Sequence, residues 1–192
     1  MECGLRIPVF FYALKLLDNL ERADRQRILA AVYEHAWLIS KRLSLYSSLG
    51  NHTICECVGL VFAGKIFGHL PEGQAWLKRA MKLLQQELHH QILADGGPAE
   101  QSLNYHRFVL DLYWLTLDFL EKNGHREASA WRVRLTQGEE FLSAFTGEQG
   151  YLPAIGDSDD GQAVAPGISP LRSVPERAPW TYRVFQESGY TI

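Results

Sequence analysis

The sequence predicts an all-α fold built from helical hairpins, and three observations predict it. Apolar residues recur three and four apart along most of the stretch from Leu5 to Phe145. That stretch is cut by strong stop signals at Gly50-Asn51, Asp95-Gly96-Gly97-Pro98 and Asn123-Gly124. After Gly147 the texture changes to Gly, Pro, Asp and Ser, the composition of loop rather than core.

The elements follow in order. Leu5 to Leu20 and Arg25 to Leu43 read as two paired helices, the second marked by Ile28, Val32, Trp37 and Leu38. Gly50 and Asn51 then break the pattern, and a third helix runs to about Phe67. Pro71 suits the first position of a fourth helix, which continues through Trp76, Leu84 and Leu88 to Leu93. A fifth covers about Gln101 to Lys122, dense in aromatics at Phe108, Tyr113, Trp114 and Phe119, and a sixth ends near Phe145. Six helices make three hairpins, which is only part of a closed ring. The expected organisation is a helical segment over 1–147, a Pro/Gly/Asp-rich loop over 148–179, and the first strand of a further β-domain over 180–192. A lone strand leaves its backbone groups unpaired, so that ending reads as the start of a longer β-structure.

Composition narrows the partners. The 192 residues carry 19 basic and 22 acidic side chains, mixed along the chain, for a net charge of −3. No basic stripe is present to neutralise a phosphate backbone, so no nucleic-acid partner is expected. The apolar run Ile7 to Leu14 is interrupted by Lys15 and Asp18 and continues at helical spacing, which makes it an amphipathic helix rather than a signal peptide. No uncharged run reaches the roughly 18 residues of a membrane span, so no membrane partner is expected. Cys3, Cys55 and Cys57 are odd in number, and the close pair has no matching pair to complete a zinc site. Cys55 and Cys57 read as small buried hydrophobes.

Two polar clusters interrupt the apolar stripes. In Asn51-His52-Thr53-Ile54-Cys55-Glu56, His52 and Glu56 are four apart and share a helical face, where a carboxylate can orient an imidazole. Equally, Thr53 with Glu56 fits a capping box and Asn51 fits a helix start, and spacing alone favours capping. The second cluster is Glu100-Gln101-Ser102-Leu103-Asn104-Tyr105-His106-Arg107, just after the Asp95 turn. Gln101 and Tyr105 share one face and Glu100 and Asn104 the next, so the first helical turn offers several donors and acceptors. The same residues also suit a plain helix start over an amphipathic Tyr105.

The run Asn51-His52-x-x-x-Glu56-x-x-Gly59-Leu60, followed by Asp95-Gly96-Gly97-x-x-Glu100-Gln101-Ser102-x-x-Tyr105-His106, resembles the heparinase II/III family of polysaccharide lyases. Gly156-Asp157-Ser158-Asp159-Asp160-Gly161 resembles a further segment of that family. Three motifs in the family's order and spacing are far more specific than any one of them. The resemblance implies an incomplete (α/α) toroid followed by a β-sandwich, and β-elimination on a uronic-acid polysaccharide such as a heparan-type chain or alginate. It implies that Asn51 and His52 neutralise the uronate carboxylate and that Tyr105 donates a proton to the departing glycosidic oxygen. Glu56, Gln101, His106 and Arg107 are then the expected substrate contacts, with Glu100 supporting them from behind. No cofactor or metal is expected in this chain. A structural metal would belong to the β-domain, and the family's further histidine would come from beyond the toroid. The resemblance also implies an acidic polysaccharide as partner and a periplasmic or secreted location for the complete protein. A homo-oligomer is compatible with the sequence.

Two other readings compete. Helical toroids also host glycoside hydrolases, which use two carboxylates, and Glu56, Glu100, Asp157 and Asp159 are candidates. Stacked helical hairpins can also serve as a non-catalytic surface that binds a glycan or a protein. His89-His90 and the acidic loop Asp157 to Asp160 invite a metal. However, adjacent helical histidines diverge by about 100°, and the loop lacks the spacing of an EF-hand.

Overall fold

The structure is a computed structural model that describes residues 1–46, 49–147, 151–157, 163 and 182–192. Among the described residues there are six α-helices: α1 (Glu2–Leu16), α2 (Arg22–Lys41), α3 (Asn51–Ile66), α4 (Pro71–Gln91), α5 (Leu103–Lys122) and α6 (Trp131–Phe145). Two short strands, β1 (Val184–Phe185) and β2 (Tyr190–Thr191), follow near the end. The chain divides into two compact units, Met1–Leu84 and Gln85–Ile192, with the boundary inside α4.

The first unit is organised around α3. Every residue from Thr53 to Gly64 is buried, so this helix is apolar nearly all round and needs packing on each side. Glycine makes that packing close. A Cβ added at Gly59 would lie 2.7 Å from Gly4 Cα, and one at Gly4 would lie 2.3 Å from the Cys55 carbonyl oxygen. The backbones of α1 and α3 therefore touch, which any side chain would prevent. Gly64 gives α4 the same access, since a Cβ there would meet Leu77 Cβ at 2.7 Å and the Gly73 carbonyl oxygen at 2.8 Å. Tyr33, Phe67 and Trp76 form an aromatic cluster with centroids 5.3 to 6.3 Å apart, tying α2 to the α3–α4 turn.

In the second unit α5 packs on α6 through Gly138, where a Cβ would approach Leu110 Cδ2 to 2.7 Å. Buried Tyr113 and Trp131 meet edge to face at 5.6 Å, and the Trp131 indole N–H donates to Gln85 Oε1 at 2.6 Å. The two strands pair antiparallel with Val184 opposite Thr191 and Phe185 opposite Tyr190. Phe185 and Tyr190 then pack on Phe141 and Phe145 of α6.

Three expectations need correction. The first helix spans Glu2–Leu16 and holds Pro8 within it, ending four residues before Leu20; Leu16 and Leu17 are exposed. The fifth begins at Leu103 rather than Gln101, because Ser102 accepts the Tyr105 N–H as its N-cap while Gln101 sits at φ 55 outside the helix. At the ending two short paired strands stand where a single strand was expected, and Ser188 anchors them to Asp95. Most of the 148–179 loop, with Asp159 and Asp160, lies outside the described residues.

Candidate active site

The first polar cluster opens α3. Gly50 precedes it at φ 105 and ψ −130, a conformation that favours glycine, and Asn51 and His52 follow, half-buried in the first turn. Thr53 and Glu56 are buried on the next part of the helix. Together they clamp one residue of the preceding loop. The Ser44 N–H donates to Glu56 Oε2 at 2.8 Å, Ser44 Oγ donates to Glu56 Oε1 at 2.9 Å, and Thr53 Oγ1 donates to the Ser44 carbonyl oxygen. This is not a capping box, and no side chain caps α3. Glu56 likewise does not orient His52. With both carboxylate oxygens taken and only 5% of the residue exposed, its expected place among the substrate contacts gives way to a role in fixing the loop before α3.

The second cluster is built on the Asp95 turn and the start of α5. Asp95 Oδ1 accepts the Gly97 N–H at 3.0 Å, and Oδ2 accepts both the N–H and the hydroxyl of Ser188 at 2.8 and 3.0 Å. Burial pushes the pKa of this carboxyl up, but the Ser188 and Gly97 donors outweigh it and hold Asp95 below the usual carboxylate range. Gly96 and Gly97 leave no room for a side chain: Cβ atoms there would fall 2.2 Å from the Gln137 carbonyl oxygen and 2.2 Å from Ser188 Oγ. Gln101 donates from Nε2 to the carbonyls of Pro98 and Ser188 at 3.2 and 3.0 Å. Glu100, Asn104 and Arg107 are half-buried beside it.

His106 is corrected from a substrate contact to a core residue. It is 2% exposed, its Nε2–H donates to the Gly96 carbonyl at 2.8 Å, and it meets the Phe141 ring edge to face. Burial pushes its pKa down to about 4, only partly offset by that hydrogen bond and by the Asp95 charge, so the ring is neutral at ordinary pH.

Tyr105 keeps its hydroxyl at the surface. Its Oη donates to Asp157 Oδ2 at 3.2 Å. The loop carrying Asp157 is fastened to the start of α5 by two further bonds: the Leu103 N–H donates to the Ile155 carbonyl at 3.3 Å, and Ser102 Oγ donates to the Asp157 carbonyl at 2.5 Å. Gly156, at φ 77, permits this docking, since a Cβ would stand 2.0 Å from the Gln101 carbonyl oxygen. Sequence reading noted Asp157 but not its pairing with Tyr105, because 52 positions separate them. Ser102 was missed as a cap, although a serine three before Tyr105 at a helix start was an available signal.

Cys55 and Cys57 are buried, and burial pushes the Cys55 thiol far up, so these are packing residues. Among the described residues no group of three or more His, Cys, Asp or Glu is placed to hold a metal ion. None of the described helices is long and apolar enough to cross a membrane.

The six helices, joined as helical hairpins, are those of an all-α protein of the (α/α)-toroid class. The chain belongs to the heparinase II/III family: the model of the Heparinase II/III N-terminus matches residues 1–166. It is 30% identical over 84 residues to a heparin-sulfate lyase of Bacteroides stercoris, covering 44% of this chain and 13% of that protein. A heparin-sulfate lyase of Bacteroides thetaiotaomicron is 25% identical over 122 residues, covering 59% of this chain and 17% of that one. A crystal structure of heparinase III shares the fold with a TM-score of 0.67 at 23% identity, over 76% of this chain and 22% of that one. The chain thus spans less than a quarter of the length of the relatives it matches.

Proposed function

We propose that this chain forms part of a polysaccharide lyase that cleaves uronic-acid glycans by β-elimination. The observation that carries the reading is the family match over residues 1–166, which takes in all three motifs first noted in the sequence. In this reaction a general base takes the proton on C5, beside the carboxylate. The C5–H electron pair becomes a C4=C5 double bond, and the C4–O bond breaks with its electrons leaving on oxygen. The developing enolate needs donors aimed at the carboxylate, a task for Asn51 and His52, with Arg107 offering a bidentate partner. The leaving oxygen needs a proton, which the surface-facing Tyr105 hydroxyl supplies. Where the sugar's configuration puts the C5 proton on the same face, the ionised phenol of Tyr105 first takes that proton and then returns it to the oxygen.

The names of the curated relatives favour a heparan-type substrate over alginate. An enzyme acting on such glycans works in the periplasm or outside the cell. The test is near-ultraviolet absorbance of the unsaturated uronate when the full-length protein meets heparan sulfate, alginate and related chains. A rise is expected with one of them, and Tyr105→Phe should lower the rate about a hundredfold or more. A full-rate Tyr105→Phe variant would remove Tyr105 from the chemistry. No rise with any uronate would overturn the lyase reading in favour of glycan binding alone.

A further inference from the structure

We infer that Asp157 is a positioning residue for Tyr105, held in place by a strap formed of residues 155–157 and Ser102. The inference rests on the reading of Tyr105 as the proton donor. A phenol that must hand its proton to one oxygen gains from having its ring rotation and the position of its oxygen fixed beforehand, since misplacement of a reacting group is costly in rate. A half-buried tyrosine on a first helical turn has reason to hold one rotamer where its hydroxyl meets a fixed partner.

The strap supplies that reason. Ser102 Oγ acts in two directions at once, accepting the Tyr105 N–H at 3.2 Å and donating to the Asp157 carbonyl at 2.5 Å. The backbone of Tyr105 and the backbone of Asp157 are therefore fixed to one oxygen atom. The Leu103 N–H to Ile155 carbonyl bond prevents the loop from sliding along the helix start. Gly156 lets the two backbones approach to a distance at which no Cβ fits. With both main chains pinned, the Asp157 carboxylate reaches the Tyr105 hydroxyl at 3.2 Å. Asp157 is exposed, and nothing in this arrangement requires its side chain for burial or core packing. An exposed carboxylate on a loop fastened at two points, meeting the one hydroxyl expected to move a proton, is better explained by positioning than by stability.

The experiment uses the full-length protein with Asp157→Ala, Asp157→Asn and a ring label on the tyrosines, read by kinetics and by NMR. Asp157→Ala should lower kcat about tenfold with KM within about twofold, the scale of one lost orienting hydrogen bond. Asp157→Asn keeps an oxygen acceptor and should restore most of that loss. The Tyr105 ring signal should shift and broaden in Asp157→Ala while the melting temperature stays near that of the parent. Unchanged kcat in Asp157→Ala, or Asp157→Asn as impaired as Asp157→Ala, would overturn the inference. If the parent itself gives no unsaturated product, the lyase reading fails separately. The ring signal then decides alone: an unchanged Tyr105 signal in Asp157→Ala overturns positioning, and a shifted one supports it.

Discussion

At the residue scale, Glu56 shows how a polar cluster can be found correctly and its contacts misassigned. The spacing from His52 places both on one face of a helix, but the carboxylate is turned to Ser44, where it answers a backbone N–H and a hydroxyl. Glu56→Ala would leave those donors without a carboxylate in a mostly buried pocket, at a cost of about 1–3 kcal/mol. Glu56→Gln, which keeps one acceptor oxygen, should cost less. Urea denaturation of the two variants checks the order; equal stability of Glu56→Ala and the parent would refute the clamp. The clamp was not legible because Ser44 lies in an irregular stretch, where neither periodicity nor propensity predicts which backbone group faces inward. Cys55 and Cys57 were legible for the opposite reason: their burial follows from lying on a helix apolar nearly all round.

At the scale of elements, the helices were readable because apolar period and stop signals agree. Pro71 opens α4 as predicted, and Asn123 closes α5. The misplaced ends are those decided by a single side chain or by tertiary contact, as at Ser102, whose hydroxyl stops α5 from starting earlier. Helix crossings were not readable, since a glycine signals a close approach without naming its partner. Gly59→Ala tests the closest crossing. Its new methyl would stand 2.7 Å from Gly4 Cα, so α1 and α3 must separate. Overpacking of this kind costs about 1–3 kcal/mol, and a lower unfolding midpoint with unchanged helical circular dichroism is the expected result. Gly156→Ala acts on a different element. At φ 77, with a Cβ 2.0 Å from the Gln101 carbonyl oxygen, it should undock the loop and reproduce the kcat loss of Asp157→Ala while leaving the core intact. Near-parental kcat in Gly156→Ala would show that Asp157 reaches Tyr105 without the docked loop.

For the whole molecule, class and family were legible because three motifs recur in a fixed order, while the pairing of distant motifs was not. The hairpin at 184–191 illustrates the limit: its β-forming residues were visible, but its docking depends on Asp95, far away in sequence. Stability against pH follows from the same long-range contacts. His106 has its pKa lowered from 6.5 to about 4, first by burial, so the unfolded chain binds a proton between those values that the folded chain refuses. Stability from this residue is therefore complete above about pH 6.5, falls as the pH drops toward 4, and changes no further below that; the whole effect is about 3 kcal/mol. Asp95 works in a lower window. Its depressed pKa contributes stability above the ordinary value of 3.8, and that contribution is lost as pH falls through the folded value. The two windows adjoin, so acid should first weaken the His106 site and then release the Asp95 anchor of the hairpin. Thermal midpoints of the parent should fall between neutral pH and about 4.5, and His106→Gln, although less stable at neutral pH, should show a shallower fall. An equally steep fall in His106→Gln would assign the acid sensitivity to other groups.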